Sequence, residues 1–249
     1  MSGHSKWHSI KHKKGIADAK RGKIFTKHAK LIAISARAGA DPEMNPSLRT
    51  AIANAKADNV PNANIEKAVK KGSGGDKNAT QYFELVYEGY GPAGTAMLIE
   101  VITDNKNRAL TNIKTVMMKN GGNMGEAGSV GWMFDRRGVI FANAKGKDSE
   151  GAELEIIDAG AEDFSQENDS YEIVTADTNL MNVRDKLEVS GFQIDKAELS
   201  YLPKNPLKID SPDDARKILK LIDLLEDDED VSGVHSNFDI PDDIMESME

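Results

Sequence analysis

Residues 71–103 read KGSGGDKNATQYFELVYEGYGPAGTAMLIEVIT, and the hydrophobic period changes inside them. Lys71-Gly-Ser-Gly-Gly-Asp76 has the composition of a linker. Beyond it, Tyr82–Glu88 and Thr95–Thr103 are predicted strands, joined through Gly89-Tyr-Gly-Pro-Ala-Gly94. The second is so continuously apolar that it belongs in a sheet covered on at least one face.

On the N-terminal side the period is helical. Phe25, Ala29, Ile32 and Ala36 fall at i, i+4, i+7 and i+11, one face of a helix that begins near Ile16 and ends at Gly39 and Pro42. A second helix starts at Pro46, with Leu48, Ile52 and Ala55 inward. A third spans 62–71, with Ile65, Ala68 and Val69 inward and Gly72 as its stop. These helices are Ala-rich, so their shared core is thin and is expected to lean on a neighbour or a ligand.

On the C-terminal side, Asn105 caps a helix that turns Leu110, Ile113 and Met117 to the sheet, and Gly121 stops it. Residues 121–131, GGNMGEAGSVG, hold five glycines and suit neither helix nor strand interior. Predicted strands at 132–135 and 139–143 turn at Arg136-Arg137-Gly138. A helix at 149–159, strands near 164 and at 171–175, a helix at 178–190 and a strand at 193–202 follow. A short strand lies at 207–209. Ser211-Pro212-Asp213-Asp214 then opens a helix whose face is Ile218, Leu221, Ile222 and Leu225. A last strand at 231–239 precedes an acidic tail.

This order predicts an α+β chain: a three-helix N-terminal domain (1–77), then two α/β domains with helices on one face of an antiparallel sheet. The central domain takes 78–131 and 205–249, and the other, 132–204, is inserted in it.

Charge divides the same way. Residues 1–77 hold 16 Lys/Arg against 6 Asp/Glu, a balance of +10. Residues 78–249 hold 16 against 35, or −19, and together they give the net −9. The first thirty residues alone carry nine Lys/Arg and one acid, Asp18, with four of the five histidines. Such a segment repels itself and suits a polyanion. Lys6, Trp7, His8, Lys11, His12, Lys13 and Lys14 form an arm in which Trp7 can stack on a base or ribose. Lys20, Lys23, Lys27 and Lys30 recur every three or four residues as one helical stripe, with Arg21 beside it. About ten phosphate contacts would lower affinity by roughly 10³–10⁵ between 50 and 200 mM salt.

Other chemistries find less support. The chain has no cysteine, which excludes disulfides and thiolate sites and fits a reducing, cytoplasmic compartment. The longest apolar run, 96–102, is broken by Glu100 and falls far short of the roughly 18–20 residues of a membrane span. The basic N-terminus lacks the apolar core of a secretory signal. His4, His8 and His12 would form a metal-binding column on a helix, but Gly3, Gly15 and the polar context oppose one there. Glu226-Asp-Asp-Glu-Asp230 offers carboxylates to Mg²⁺, yet a charge run at a helix end is ordinarily a solvated face, and these acids oppose the helix dipole. The glycine loop is neither a Walker A loop, lacking Gly-Lys-Ser/Thr, nor a dinucleotide fingerprint, since it follows a helix. It is either a flexible connection or a probe presenting Gly122, Asn123, Met124, Gly125 and Ser129 to a partner, with Arg136 and Arg137 beside it. Ser129 has no His or Asp near it in sequence to activate it. No general acid–base pair is identifiable, so no catalytic residue or small-molecule substrate is expected.

Five stretches in order resemble the YebC family: GHSKWHSIKHKKGIADAKRGKIFTKHAKLI (3–32), NPSLRTAIANAKADNVPNANIEKAVKKGSG (45–74), YEGYGPAG (87–94), TDNKNRALTNIKT (103–115) and NMGEAGSVGWMFDRRG (123–138). The family opening is usually GHSKWANIKHRKG-like. Here His8-Ser9 fills the variable pair and Lys13 replaces a common Arg, which keeps the charge. The relatives include a mitochondrial translational activator of cytochrome c oxidase. The resemblance implies three domains, the third inserted in the second, with no catalytic activity and no cofactor. It implies a nucleic-acid-binding regulator of one of two kinds: a promoter-binding transcriptional regulator, or a ribosome-associated factor that helps translation through proline runs. The first helix lacks base-reading side chains at its N-terminus and no dimer face is evident, so a monomer reading backbone and shape, on ribosomal RNA before duplex DNA, is favoured.

Overall fold

The computed structural model describes residues 18–74 and 81–248. Three helices come first: α1 (Asp18–Ser35, continued by a 3₁₀ turn to Ala38), α2 (Pro46–Ala57) and α3 (Asn62–Gly72). The predicted start of α1 at Ile16 lies outside the described residues. Lys71 and Gly72, read as linker, belong to the last turn of α3. Asn45 caps α2, its side chain accepting from the Leu48 N–H at 3.1 Å. The core of this unit is small: Ile32, Ala36, Leu48, Ala55, Val60, Ile65 and Ala68.

The first sheet has strand order β3-β1-β2-β9 and is antiparallel throughout. Its strands are β1 (Phe83–Tyr90), β2 (Ala96–Thr103), β3 (Asn123–Met124) and β9 (Val231–Ser236). Two helices cover one face, α4 (Lys106–Lys119) and α7 (Pro212–Glu226). Met97, Ile99 and Val101 of β2 meet Ile113, Met117, Ile218, Leu221 and Leu225 there, so the strand's period-2 face finds two 3.6-period faces. Both helices start as their sequences require. Asn105 accepts from Arg108 N–H at 3.0 Å and Ser211 from Asp214 N–H at 3.3 Å.

The second sheet, order β5-β6-β4-β7, forms between β3 and β9 of the first sheet in the chain and is therefore an insertion. It contains β4 (Phe134–Asn143), β5 (Asp163–Glu167), β6 (Ser170–Ala176) and β7 (Gln193–Pro203). Helices α5 (Ser149–Ala159) and α6 (Leu180–Val189) cover one face, packing Ile156, Val183 and Leu187 on Ile140, Ala142 and Ile173. The expected α+β architecture, helices followed by two such sheet units, is the one observed.

Three local expectations are corrected. Arg136-Arg137-Gly138 is not a turn, because β4 runs straight through it and pairs with β6 and β7. Gly138 serves close approach, since a Cβ there would lie 2.3 Å from Thr175 Oγ1 and 2.9 Å from Leu180 Cβ. The last strand is two strands. At Asn237 the chain leaves the first sheet, and β10 (Phe238–Asp239) pairs in parallel with β8 (Leu207–Lys208) as a separate ribbon. Asn237 makes this exit possible by accepting from the Ala96 N–H through its side chain, at 2.8 Å. The acidic tail forms a short helix, α8 (Asp242–Glu246). No helix among the described residues is long and apolar enough to cross a membrane.

Candidate nucleic-acid interface

The arm residues Lys6, Trp7, His8, Lys11, His12, Lys13 and Lys14 lie outside the described residues, as does the histidine column His4–His8–His12. The lysine stripe of α1 is described from Lys23 onward. Instead of facing solvent, it meets the C-terminal end of α7. The last carbonyls of a helix have no partner within it and carry its negative dipole end. Lys23 Nζ donates to the Asp227 carbonyl at 2.9 Å, Lys27 Nζ to the Glu226 carbonyl, and Lys30 Nζ to the Glu229 carbonyl at 2.6 Å. The acidic run 226–230, unfavourable for its own helix dipole, is thus compensated by cations from α1. Among the described residues, no group of three or more His, Asp or Glu side chains converges as a metal site.

Asp230 anchors this junction. It is 3% exposed and accepts from Lys30 Nζ at 2.8 Å and from Arg108 Nη2 and Nε at 2.7 and 3.1 Å. Burial pushes its carboxyl pKa up, but the Lys30 and Arg108 hydrogen bonds outweigh that and hold it below the ordinary value. One side chain therefore ties α1, α4 and the start of β9 together.

The helical unit also leans on the inserted sheet. β7 is an edge strand, and Asn54 of α2 closes part of that edge. Its Nδ2 donates to the Ala197 carbonyl at 2.8 Å and its Oδ1 accepts from the Ala197 N–H at 3.3 Å. The thin helical core is supplemented by neighbours on two sides.

The glycine loop is clasped. The Glu88 carboxylate, projecting from β1, accepts three loop N–H groups, from Gly128, Val130 and Gly131, each at 2.7 Å. Burial raises the Glu88 pKa, and the three amides together bring it below the ordinary carboxylate value. Tyr90 Oη and Trp132 Nε1 both donate to the Ser129 carbonyl at 3.2 Å. Gly125 is required because a Cβ there would lie 2.3 Å from Ser129 Oγ. Met124, expected as a probe, packs half-buried against the first core, while Asn123 is exposed. Gly122 sits over Tyr90 and Leu221. Of the two arginines, Arg136 is exposed, and Arg137 pairs with Glu162 at 2.7 Å. What the loop does present is Trp132, 66% exposed, with Lys204 Nζ holding its carbonyl at 3.0 Å.

Sequence reasoning missed Glu88, Arg108 and His235, and read Asp230 only as part of a solvated acidic run, whereas it is buried. His235 bridges the two sheets, its Nε2 2.9 Å from Glu100 Oε2 and its Nδ1 3.2 Å from Ser200 Oγ. A glutamate inside a strand next to Gly89 was a weak signal for Glu88. The other three pair over more than 100 positions and left no local signal.

Comparison with known proteins agrees with this architecture. Residues 5–75 match a family model described as the TACO1/YebC protein N-terminal domain, and residues 82–238 one described as the TACO1/YebC second and third domain. A protein of Halothermothrix orenii is 48% identical over 251 residues, covering 100% of this chain and 99% of its own length. One of Geotalea uraniireducens is 49% identical over 249 residues and all of both chains. Both are named probable transcriptional regulatory protein. The crystal structure of a conserved hypothetical protein from Aquifex aeolicus superposes with a TM-score of 0.84 at 40% identity, over 90% of this chain and 93% of that one. Sequence and fold therefore agree over nearly the whole length, and the chain belongs to the TACO1/YebC family.

Proposed function

We propose that this protein is a non-enzymatic, nucleic-acid-binding regulator of gene expression, acting on the ribosome through ribosomal RNA to assist elongation at difficult sequences such as proline runs. The observation that carries the reading is the +10 balance of residues 1–77 on a −19 body. Lys23, Lys27 and Lys30 are engaged within the molecule, so phosphate binding falls chiefly to Lys6, Lys11, Lys13, Lys14 and Lys20. Trp7, His8 and His12 lie among them. Lys56, Lys67 and Lys70, exposed on the same unit, widen the basic surface. A pinned loop ending in an exposed tryptophan suits a fixed contact point at a second position on a large RNA. We take the domain limits near residues 77, 131 and 204, so that the basic unit and the loop belong to different domains.

A second reading, a transcriptional regulator binding promoter DNA, is favoured by the names of the relatives and by α3. This helix follows α2 after residues 58–61 and exposes Asn62, Asn64 and Lys67 near its start. That is where a recognition helix carries base-reading side chains.

Cosedimentation with ribosomes over a salt series, with duplex DNA as competitor, separates the two. Retention despite excess DNA, lost on charge reversal of Lys11, Lys13 and Lys14, is the result expected of a translation factor. Release by one DNA sequence far more readily than by others overturns that reading in favour of the promoter one.

A further inference from the structure

Helix α4 differs in charge from the other described helices of the two sheet units. Residues 105–125 contain Lys106, Arg108, Lys114 and Lys119 and no acid, inside a body whose balance is −19. Its neighbour on the same sheet, α7, pairs cations within itself, Arg216 with Asp213 at 3.0 Å and Lys217 with Asp214 at 3.3 Å. Helices α5 and α8 carry only acids, and α6 carries both signs. A helix on a sheet turns one stripe inward and the rest to solvent. In α4, Ala109, Ile113 and Met117 are buried, and two rows cross the exposed arc. Asn107, Thr111, Lys114 and Met118 fall at i, i+4, i+7 and i+11, and so do Arg108, Asn112, Thr115 and Lys119. Thr111 and Thr115 turn their hydroxyls back on the helix, donating to the Asn107 and Thr111 carbonyls at 2.8 and 2.7 Å. Lys106 Nζ lies over the Phe83 ring, 4.3 Å from its centroid. Lys114 and Lys119 are exposed and have no ion-pair or hydrogen-bond partner among the described residues.

We propose, building on the nucleic-acid reading above, that this exposed arc of α4 is a second phosphate-binding surface for RNA, continuous with the basic helical unit. Charge complementarity is the first argument. Two lysines without acidic neighbours on their own helix attract phosphates, whereas a lysine paired with a carboxylate must first give up its partner. Continuity is the second. Helices α1 and α4 hold the same turn, 226–230. Lys23, Lys27 and Lys30 bind its carbonyls from α1. From α4, Arg108 binds Asp230 at 2.7 Å and Asn112 binds Asp228 at 3.2 Å. The row that begins with these two residues ends in Lys119. From Arg108 to Lys119 the helix runs about 16 Å, and beyond its end at Lys119 the chain enters the glycine loop. Helix α4 therefore leads from the basic unit to the loop, the two parts of the molecule read above as RNA contacts. Leu110 and Met118, 40% and 64% exposed, stand one turn to either side of Lys114 and offer apolar contact to sugar and base faces.

The test is the affinity of the full-length protein for a single-stranded RNA oligonucleotide of mixed sequence, read over a salt series. Each phosphate contact on a single strand adds roughly 0.7 to the slope of log affinity against log salt. Lys114→Ala with Lys119→Ala should lower that slope by about 1.4, and Lys114→Arg with Lys119→Arg should keep it. Lys217→Ala with Lys220→Ala on α7, exposed lysines outside the proposed surface, removes the same charge and should leave the slope as it is. A slope unchanged by the α4 alanine variant overturns the proposal and leaves the nucleic-acid reading standing. So does an equal fall in the α7 variant, which would make the effect one of net charge. If the unaltered protein binds no RNA, both fall. If polyglutamate binds as tightly as the RNA and is weakened as much by the α4 variant, the surface serves an acidic protein segment, and the proposal is likewise overturned.

Discussion

Two carboxylates organise this molecule in different ways. Asp230 holds two cationic side chains, Lys30 and Arg108, from two different helices. Glu88 holds three backbone N–H groups of one loop. The first is a joint between units and the second a clasp within one. A complete buried ion pair gains little net of desolvation, but removing one partner costs much, because it leaves the other charge buried and uncompensated. Amides on a carboxylate order a loop but leave the fold around it standing.

The sharpest way to break the comparison is Asp230→Ala. It strands Lys30, whose side chain is 10% exposed, against an acidic helix end. A loss of about 3–5 kcal/mol in urea unfolding is expected, with α1 detaching first in hydrogen exchange. A loss no larger than that of an ordinary surface substitution would mean the joint is not a structural one.

Next comes Glu88→Gln, which keeps the shape but reduces two strong acceptors to one. A cost of about 2 kcal/mol is expected from amides left short of an acceptor, with faster exchange confined to Gly128, Val130 and Gly131. Acid sharpens the same contrast. Both carboxyls titrate below their ordinary values in the folded chain. Their stabilisation is therefore present above the unfolded values, ordinarily 4.5 for Glu88 and 3.8 for Asp230, and drains as pH falls through the folded ones. Glu88→Gln should flatten its share of that decline in a pH series of midpoints, while the share from Asp230 remains.

Gly125→Ala tests the loop from the other side. Its new methyl would meet Ser129 Oγ, so a loss of about 1–2 kcal/mol is expected. Ser129 Oγ is buried and has no hydrogen-bond partner among the described residues. Ser129→Ala should therefore be near neutral alone and should recover much of the Gly125→Ala loss, a coupling that a double-mutant cycle measures. Asn54→Ala should have the smallest effect, about 1 kcal/mol. Its diagnostic sign is faster exchange at the Ala197 amide on the exposed edge of β7.

Element identity was legible wherever the signal is local. Asn105 and Ser211 cap the helices they were expected to cap, because a cap needs only a side-chain oxygen three residues from an N–H. The switch from helical to strand period after the third helix placed the first sheet. What misled was glycine. Gly138 after two arginines resembles a turn, yet it serves packing against Thr175 and Leu180, far along the sequence. Asn237 inside the predicted last strand, 231–239, likewise gave no hint that the chain changes sheets there.

The candidate site divides the same way. Sequence alone determined that positive charge is concentrated at the N-terminus, since charge is additive and needs no coordinates. Which cations remain available is a tertiary matter. Lys23, Lys27 and Lys30 form the expected stripe, but the stripe meets carbonyls some 200 residues distant. Periodicity fixes which residues share a face of α1, and only the packing of whole units decides what that face meets.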